Sequence, residues 1–312
     1  MDVIKIFTYN CNGLGSSEKR IKALKFLKNK NKTAIFFLQE THSCVKNMAS
    51  FEKEMGGPNN TFLNHGESNA RGTAILFSNV NFTVNNYYSD ENGRLQLLSI
   101  KLDDFDKKIL LINIYAPNIE PTQIVLLKEL NTLLENFEKL DEHYIILGGD
   151  FNFFINKNLD TQGGIALPKK NSQIELLKIM VKNNLIDIFR VRNPELKKFS
   201  FRMQTPRLFR RLDFFLISSA LDNAITLTDI ELSWRSDHSP VVIGMSNMVE
   251  NRRGPSLWKF NSSLTYDNTF NGEIVNKISN WYDEYGDIIP TTKWDLLKYK
   301  ARDYSRKFAI TK

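Results

Sequence analysis

Short runs of β-branched and aromatic residues recur along the chain and alternate with polar segments. Runs of this length and composition are typical of β-strands that are buried in a core. The pattern predicts strands at Val3–Tyr9, Ala34–Leu38, Thr73–Phe77, Leu95–Leu102, Ile109–Tyr115, Tyr144–Leu147, Phe199–Met203, Leu212–Ile217 and Pro240–Met245.

Three other segments carry apolar residues at helical spacing, and we predict helices at Glu18–Lys30, Thr122–Leu140 and Asn171–Asn184. In the second of these, leucines recur every three or four residues and would share one face. A further helix, rich in Lys and Arg, is predicted at Trp294–Lys312.

The order of these elements is neither a strict alternation of strand and helix nor strand alone. The two strands that meet near Asp103–Lys107 are predicted to form an antiparallel hairpin. Few helices are available to cover the strands. We therefore predict an α/β fold with two sheets packed face to face and helices outside, in preference to a doubly wound parallel sheet.

The sequence changes character near Asn247, where the last predicted strand gives way to the linker-like run from Glu250 to Pro255. We predict one domain over residues 1–247, followed by a linker and a partly helical basic connector over residues 248–312. Residues 293–312 carry seven Lys or Arg and two Asp, a net charge of +5. Such a helix is either a solvated surface or a segment that faces nucleic acid.

The composition of the chain indicates which classes of partner and which environment to expect. The chain has 312 residues and a net charge of +7, which favours a polyanionic partner such as nucleic acid. Its two cysteines, Cys11 and Cys44, provide neither a disulfide framework nor a zinc cluster, as expected for an intracellular protein. No stretch approaches the roughly 18 apolar residues of a membrane span, so no membrane association is expected.

Polar side chains cluster at the ends of the predicted strands, where several strands of a packed sheet can meet on one rim. The clusters are Asn10 with Asn12, Gln39–His42, Asp150 with Asn152, Asp213, and Ser236–His238. Carboxylates, amides and one imidazole at such a rim favour a site for a metal ion and a phosphate.

A hard divalent cation prefers oxygen ligands, and magnesium takes one or two carboxylates in addition to water. Glu40 is the best candidate for the first ligand, with Asn10 beside it. The four histidines show no paired spacing, which argues against zinc.

Five ordered motifs resemble those of the endonuclease/exonuclease/phosphatase superfamily, and most of all the apurinic-endonuclease-like domain of LINE-type retrotransposons. The resemblance covers about residues 3–247. The motifs are Tyr9–Leu14, Gln39–His42, Asn113–Asn118, Gly149–Asn152 and Ser236–Ser239.

Beyond the last motif, Pro255–Asn261 is similar to the start of the connector that leads to reverse transcriptase in those elements. No polymerase sequence follows, so we expect a truncated element or a fragmentary gene product. The repair enzymes of the superfamily have Asp where Asn12 stands.

The resemblance implies a DNase I-like, four-layer α/β sandwich and a cofactor, Mg²⁺ with Mn²⁺ as the alternative. It implies that Glu40, Asn10 and Asp237 lie at the metal. Asp150 would orient or deprotonate the attacking water, with Asn152 beside it on the phosphate. No small-molecule cofactor is implied.

Four further roles follow from the same resemblance. His238 would contact a non-bridging phosphate oxygen, with Asp213 orienting its imidazole. Tyr115 and Asn118 would contact the phosphate or the leaving oxygen. The substrate would be DNA, which also suggests the nucleus as the place of action.

The segment Lys197–Arg211 is predicted to be a hairpin with basic flanks and Arg207 near its tip. Arginines reach phosphates and narrow minor grooves. In LINE-type relatives the corresponding hairpin contacts DNA. We therefore expect DNA contacts from Ser200, Arg202, Arg207 and Arg210.

The leading hypothesis is a magnesium-dependent endonuclease that nicks duplex DNA. The alternatives within the same fold are a repair-type apurinic endonuclease of the exonuclease III kind and a phosphatase or sphingomyelinase. From a different class, the chain could be a decayed remnant that binds nucleic acid without cutting it.

Overall fold

The computed structural model describes residues 3–29, 33–67, 69–233, 235–246, 260–285 and 290–311. These residues form two compact units, one drawn from residues 1–175 and 185–249 and the other from residues 176–184 and 250–312. The predicted boundary near Asn247 and the run from Glu250 to Pro255 lie outside the described residues. The division at 247 therefore stays a prediction.

The described residues contain fifteen strands and eight α-helices. The strands are β1 (Ile4–Asn10), β2 (Ala34–Gln39), β3 (Thr61–Asn64), β4 (Thr73–Ser78), β5 (Thr83–Ser89), β6 (Leu95–Lys101), β7 (Lys108–Tyr115), β8 (His143–Asp150), β9 (Thr161–Gln162), β10 (Leu185–Asp187), β11 (Phe201–Met203), β12 (Leu208–Arg210), β13 (Asp213–Ser218), β14 (Ile225–Ile230) and β15 (Val241–Met245). The helices are α1 (Ser17–Asn29), α2 (Met48–Met55), α3 (Glu120–Glu135), α4 (Lys157–Asp160), α5 (Lys170–Lys182), α6 (Ile188–Arg192), α7 (Asn268–Glu284) and α8 (Pro290–Thr311).

Two six-stranded sheets form the body of the first unit. Their strand orders are β14-β15-β1-β2-β4-β3 and β10-β13-β8-β7-β6-β5. In the first sheet β1 and β2 are parallel, in the second β7 and β8 are parallel, and the remaining pairs are antiparallel. Both sheets are therefore mixed, which confirms the predicted sandwich; the doubly wound parallel alternative is wrong.

The layers follow from the period of two along the strands. In β2, Ile35 and Phe37 belong to the apolar cluster that also contains residues of the second sheet, and the ring centroids of Phe37 and Phe215 are 5.9 Å apart. Phe36, between them in sequence, packs instead in a second cluster with Leu24 of α1 and Phe51 of α2. Successive strand residues thus fill two different layers.

The predicted helix over Thr122–Leu140 is shorter than its periodicity indicated. It begins at Glu120 with a proline in its first turn, and it ends at Glu135. Beyond it, Lys139 has a left-handed backbone with φ of 54°, and a 3₁₀ turn leads into β8. The predicted apolar face is confirmed, because its leucines at 126, 130 and 134 are buried.

Sequence pattern missed four helices, α2, α4, α6 and α7, and five strands, β3, β5, β9, β10 and β14. For β5 the reason is plain: it is an edge strand whose seven residues are exposed or half-exposed, so it carries no apolar run. The other strands in this group are short or also lie at sheet edges.

In the second unit the predicted basic helix is confirmed, although it starts earlier, at Pro290. Helix α7 begins after Asp267, whose carboxylate accepts a hydrogen bond from the backbone N–H of Phe270. Phe270 is buried and its ring stacks on that of Tyr304 in α8, with centroids 5.8 Å apart. None of the helices in the described ranges is both long enough and apolar enough to span a bilayer.

A buried ion network holds the chain just before β13. Arg211, 1% exposed, donates to Asp160 at 2.7 Å and to Asp187 at 2.6 Å. Arg190 donates to the same Asp160 carboxylate, which is fully buried. Burial alone would raise the pKa of Asp160, but the two guanidinium groups outweigh it and hold that pKa below its ordinary value.

We expect Asp160→Asn to lower the free energy of unfolding by about 3–5 kcal/mol, because two buried guanidinium groups lose their shared counter-charge. The pKa of Asp160 is lower in the folded protein than in the unfolded chain. The stabilisation that its ion pairs provide is therefore present above the unfolded pKa of roughly 4 and is lost as the pH falls through the folded pKa. Urea unfolding at neutral and acid pH would measure both effects.

The matched control is Glu67→Gln, which removes an exposed ion pair with Arg71 and should change stability by less than about 1 kcal/mol. Equal effects of the two substitutions at neutral pH would contradict the importance of the buried network.

Candidate active site

Strand register brings the predicted polar clusters together. In the parallel pair β7–β8, Tyr115 lies opposite Asp150, and in the antiparallel pair β13–β8, Asp213 lies opposite the same Asp150. In the first sheet, the parallel pair β1–β2 places Asn10 opposite Gln39. Parallel strands present equivalent ends at one edge, so these residues form a common rim.

The two glycines before Asp150 allow β8 to pack unusually close to its neighbours. A Cβ atom at Gly148 would lie 2.3 Å from the ring of Phe215, and one at Gly149 would lie 1.9 Å from the carbonyl oxygen of Ile114. Both distances are far below contact distance. Any side chain here would push Asp150 away from its partners.

Several rim residues adopt a left-handed backbone that non-glycine residues rarely take. The φ angles are 47° at Asn12, 51° at Glu40, 54° at His42 and 54° at Asn152. Such conformations cost free energy and persist where the surrounding structure enforces them, most often at functional sites. Here they turn the chain sharply at three strand ends.

Buried amides join the two sheets beneath the rim. Gln39 donates to the side-chain oxygen of Asn113 at 2.7 Å, and Asn113 donates to the carbonyl oxygens of Leu38 and Ala74. Both amide side chains are fully buried. These two motif residues therefore fix the distance between the sheets and do not reach solvent.

A chain of hydrogen bonds crosses the rim from one sheet to the other. The Tyr115 hydroxyl donates to Glu40 Oε1 at 2.6 Å, and the Asn10 amide donates to the same oxygen at 3.0 Å. The Asn10 amide also donates to Asp150 Oδ2 at 3.0 Å. Asn10 thus holds the Glu40 and Asp150 carboxylates in a defined relation.

His238 forms a buried ion pair with Asp213. Its Nδ1 lies 2.7 Å from Asp213 Oδ2, and because a carboxylate only accepts, Nδ1 carries the proton. Burial alone would lower the pKa of His238, but the charges of Asp213 and Asp150 outweigh it and raise the pKa to about 10. The imidazole is therefore a cation at neutral pH.

The second nitrogen of that imidazole faces Asp150. His238 Nε2 is 3.8 Å from Asp150 Oδ2, which is longer than a hydrogen bond. Nε2 therefore keeps a proton that it can donate to an oxygen of a bound ligand. This is the geometry expected of a group that stabilises negative charge.

The surroundings of Asp150 disfavour the charged form of its carboxylate. Burial and the nearby charge of Asp213 raise its pKa to about 7, although His238 and the hydrogen bond from Asn10 act in the opposite direction. A carboxylate with a pKa near neutrality can both hold and release a proton, as an acid–base group must.

Ser200 does not contact DNA from the position that the structure gives it, which corrects the sequence prediction. The side chain is fully buried, and its hydroxyl oxygen accepts hydrogen bonds from the backbone N–H groups of Leu212 and Asp213, both at 3.0 Å. Its role is to fix the backbone of Asp213. A short hydroxyl side chain fits because two orphan donors converge on it.

Arg210 is a second correction. It is 7% exposed, and its guanidinium group donates to the carbonyl oxygens of Gln162, Gly163 and Ile165. Its guanidinium group is therefore hydrogen-bonded to the loop after β9. Arg202 and Arg207, by contrast, are exposed on the hairpin formed by β11 and β12.

This hairpin is bonded directly to the loop that carries His238. The Arg202 N–H donates to the carbonyl oxygen of Asp237 at 2.9 Å, and the rings of Phe201 and His238 lie 5.0 Å apart. The exposed Asp237 carboxylate accepts a hydrogen bond from Asn12 at 3.1 Å.

Sequence reasoning missed Lys169. Its ammonium group donates to the carbonyl oxygens of Asn118 at 2.7 Å and of Asn152 at 2.8 Å, and so ties the loops of two predicted phosphate-contacting residues together. Asn152 also donates through its side chain to the carbonyl oxygen of Ala116. A single lysine in a polar loop gives no sequence signal for such a role.

The donor set suits a hard divalent cation. Asn10 donates to the carboxylates of Glu40 and Asp150, and Asn12 donates to that of Asp237. Asp213 Oδ1 is buried without a hydrogen-bond partner among the described residues. Two buried carboxylates with one imidazolium leave excess negative charge, which a cation would compensate. The cluster of Asp150, Asp213 and His238 is itself compact enough for a metal, but its imidazole is already paired through Nδ1.

The chain is similar to several known proteins. Residues 7–238 match the model of the Endonuclease/Exonuclease/phosphatase family. Over 314 aligned residues, 97% of this chain, it is 28% identical to the Xenopus laevis transposon TX1 uncharacterized 149 kDa protein. The chain spans only 23% of that relative's length.

Solved structures share the fold. The AP endonuclease LMAP from Leishmania major superposes with a TM-score of 0.61 at 22% identity, covering 78% of this chain and 87% of that one. The catalytic domain of Xenopus laevis APE2 superposes with a TM-score of 0.62 at 21% identity, covering 77% and 91%. These likenesses confirm the predicted DNase I-like, four-layer α/β sandwich.

We expect the His238 imidazole of the metal-free protein to remain protonated up to about pH 10, because the raised pKa favours the charged form. A proton NMR titration in EDTA would follow it. In Asp213→Asn the main compensating charge is lost, so the pKa should fall sharply.

His65 serves as the internal control, since burial holds its pKa below the ordinary value and it should titrate alike in both proteins. A His238 midpoint near 6.5 in the wild-type protein would contradict the ion pair.

Proposed function

This chain belongs to the endonuclease/exonuclease/phosphatase family, and from that premise we propose that it is a divalent-metal-dependent endonuclease that nicks DNA for a LINE-type retrotransposon. The similarity to a transposon protein over nearly the whole chain supports the second part of this proposal. The basic net charge of +7 supports a nucleic-acid substrate over a small phosphate ester.

The observation that carries the proposal is the hydrogen-bonded rim itself. The rim brings together three groups. They are the Asp150 carboxylate with its pKa near 7, the His238 imidazolium with a proton on Nε2, and the Glu40 carboxylate. Hydrolysis of a phosphodiester needs an activated water, stabilisation of the charge on phosphorus, and help for the departing oxygen. Asp150 suits the first need and His238 the second, and the Tyr115 hydroxyl or a cation held at Glu40 would serve the third.

We assign the roles accordingly. Asp150 orients the attacking water and accepts its proton, and Asn10 keeps the Asp150 carboxylate aimed. His238 donates through Nε2 to a non-bridging phosphate oxygen, and Asp213 keeps its imidazole charged and oriented. When bound, Mg²⁺ or Mn²⁺ would supply Lewis-acid stabilisation of the phosphate charge.

Glu40 would hold that cation, with Asn10 and Asp237 nearby. The Tyr115 hydroxyl keeps its proton, because burial and the Glu40 carboxylate raise its pKa. The hydroxyl could donate this proton to the phosphate or the leaving oxygen in exchange for its present hydrogen bond to Glu40. Asn118, which is exposed beside the rim, and Asn152 would contact the phosphate.

The hairpin of β11 and β12 would hold the DNA. Arg202 and Arg207 are exposed on it, and the guanidinium carbon of Arg207 lies 5.5 Å from the ring centroid of Phe209. Because the hairpin is bonded to the His238 loop, DNA held there lies next to the proposed reacting groups.

We expect the purified protein to nick supercoiled plasmid in the presence of magnesium and to lose this activity in EDTA. Asp150→Asn should lower turnover roughly 10²–10⁴-fold with little change in DNA affinity, because it removes the proton acceptor and leaves the DNA-binding surface intact. Agarose electrophoresis of nicked plasmid, together with fluorescence anisotropy of labelled duplex, measures the two quantities.

Asp103→Asn, an exposed carboxylate between β6 and β7, is the matched control and should act like the wild type. A strong preference for an abasic duplex over intact plasmid would favour the repair-type apurinic endonuclease. Tight, salt-sensitive binding without cleavage of either substrate would leave the binding-only remnant as the correct reading.

We also expect Arg207→Ala to weaken duplex binding for all sequences and to reduce the slope of log K against log salt by about 0.9, the value for one lost phosphate contact. Lys128→Ala, an exposed cation on α3, is the control. An unchanged salt slope for Arg207→Ala would remove this residue from the DNA-binding surface.

A further inference from the structure

The segment of residues 163–169 spans from the hairpin to the proposed reaction site. At its start, Gly163 has φ of 71°, and a Cβ atom there would lie 2.5 Å from the carbonyl oxygen of Arg207. Strand β9 pairs with β12 just before it, through Gln162 and Phe209. The segment therefore leaves the hairpin in close contact with it.

Both ends of this segment are anchored by buried or half-buried cations. Arg210 donates to the carbonyl oxygens of Gly163 at 2.9 Å and Ile165 at 3.4 Å. At the far end, Lys169 donates to the carbonyl oxygens of Asn118 and Asn152. The path of the segment is thus defined by contacts rather than left open.

Between these anchors stand two strongly exposed apolar side chains. Ile165 is 90% exposed and Leu167 is 78% exposed, while Ala166 between them is 9% exposed. This alternation means that both large side chains face away from the protein body. A single exposed leucine needs no explanation, but two on an anchored segment beside a reaction site indicate a contact surface.

The position of the pair identifies its partner. The exposed guanidinium of Arg207 belongs to the hairpin at one end, and the exposed Lys170 follows the segment at the other end. A polyanion that contacts both exposed cations, Arg207 and Lys170, would pass over the two apolar side chains. The chemistry that fits cations flanking an apolar centre is duplex DNA, with phosphates at the rims and base edges between them.

We propose that Ile165 and Leu167 form a wedge that enters a DNA groove and partly unstacks a base step near the phosphate that is cut. This rests on the proposed function, because it takes the rim of Asp150 and His238 as the place of cleavage. Apolar wedges act where the step is easily deformed, so the wedge would favour pyrimidine–purine steps such as TA.

The test is a binding measurement that does not need cleavage. Short duplexes carry 2-aminopurine in place of the adenine of a central TA step, and the full chain is added in EDTA. Binding of the wild-type protein should raise the fluorescence of 2-aminopurine as the step unstacks. Ile165→Ser combined with Leu167→Ser should bind roughly tenfold more weakly and lose most of that rise at saturation.

Val125→Ser, a change of one exposed apolar residue on α3, is the matched control and should keep both the affinity and the rise. A duplex with a mismatch at the same step is already unstacked, so wild type and double variant should bind it with similar affinity. This arm separates a wedge from a general loss of binding.

No fluorescence rise with the wild-type protein, or an equal rise with the double variant, would overturn the wedge. An equal loss of affinity on paired and mismatched duplex would also overturn it, because the side chains would then not act on stacking. Absence of metal-dependent nicking would instead count against the proposed function, and the fluorescence result would still decide the wedge.

Discussion

The rest of this site depends on two buried carboxylates that lie opposite each other on β8 and β13. Asp150 and Asp213 are paired in register and are almost completely excluded from solvent. Like charges at such short range cannot both stay ionised in a buried environment without positive charge close by. His238 supplies one such charge, and the raised pKa of Asp150 shows that one is not sufficient. A cation held near Glu40, as we propose, would compensate the remaining negative charge.

The surrounding structure serves to hold that unfavourable pair in place. The Ser200 hydroxyl fixes the backbone of Asp213, and the ion network of Arg211 with Asp160 holds the residues just before it. On the other strand, the two glycines let β8 approach Phe215 and Ile114 closely. Because each support acts on backbone position, small changes far from the rim would alter the distance between the two carboxylates.

The same backbone that positions His238 also carries the exposed arginines. The N–H of Arg202 and the ring of Phe201 join the hairpin directly to the His238 loop. Arg210 and Lys169 extend this connection along residues 163–169 to Asn152. The exposed hairpin and the rim are therefore built on shared hydrogen bonds, so DNA bound to the hairpin, as we propose, would have a fixed place relative to the rim.

The sequence alone determined the layered α/β character, most of the central strands, and the polar clusters at their ends. It could do so because buried strands need continuous apolar runs, and because a charged or amide residue directly after such a run is visible in one dimension. The edge strand β5 left no such trace, since its side chains are exposed. Only the tertiary structure decided which polar residues are exposed and which are buried. Ser200 and Arg210 look like surface residues in sequence, yet each is buried by hydrogen bonds to backbone groups distant in the chain. The contact of Asp213 with His238 was implied by the family resemblance and not by any local pattern, because it depends on how β13 and the loop before β15 are brought together.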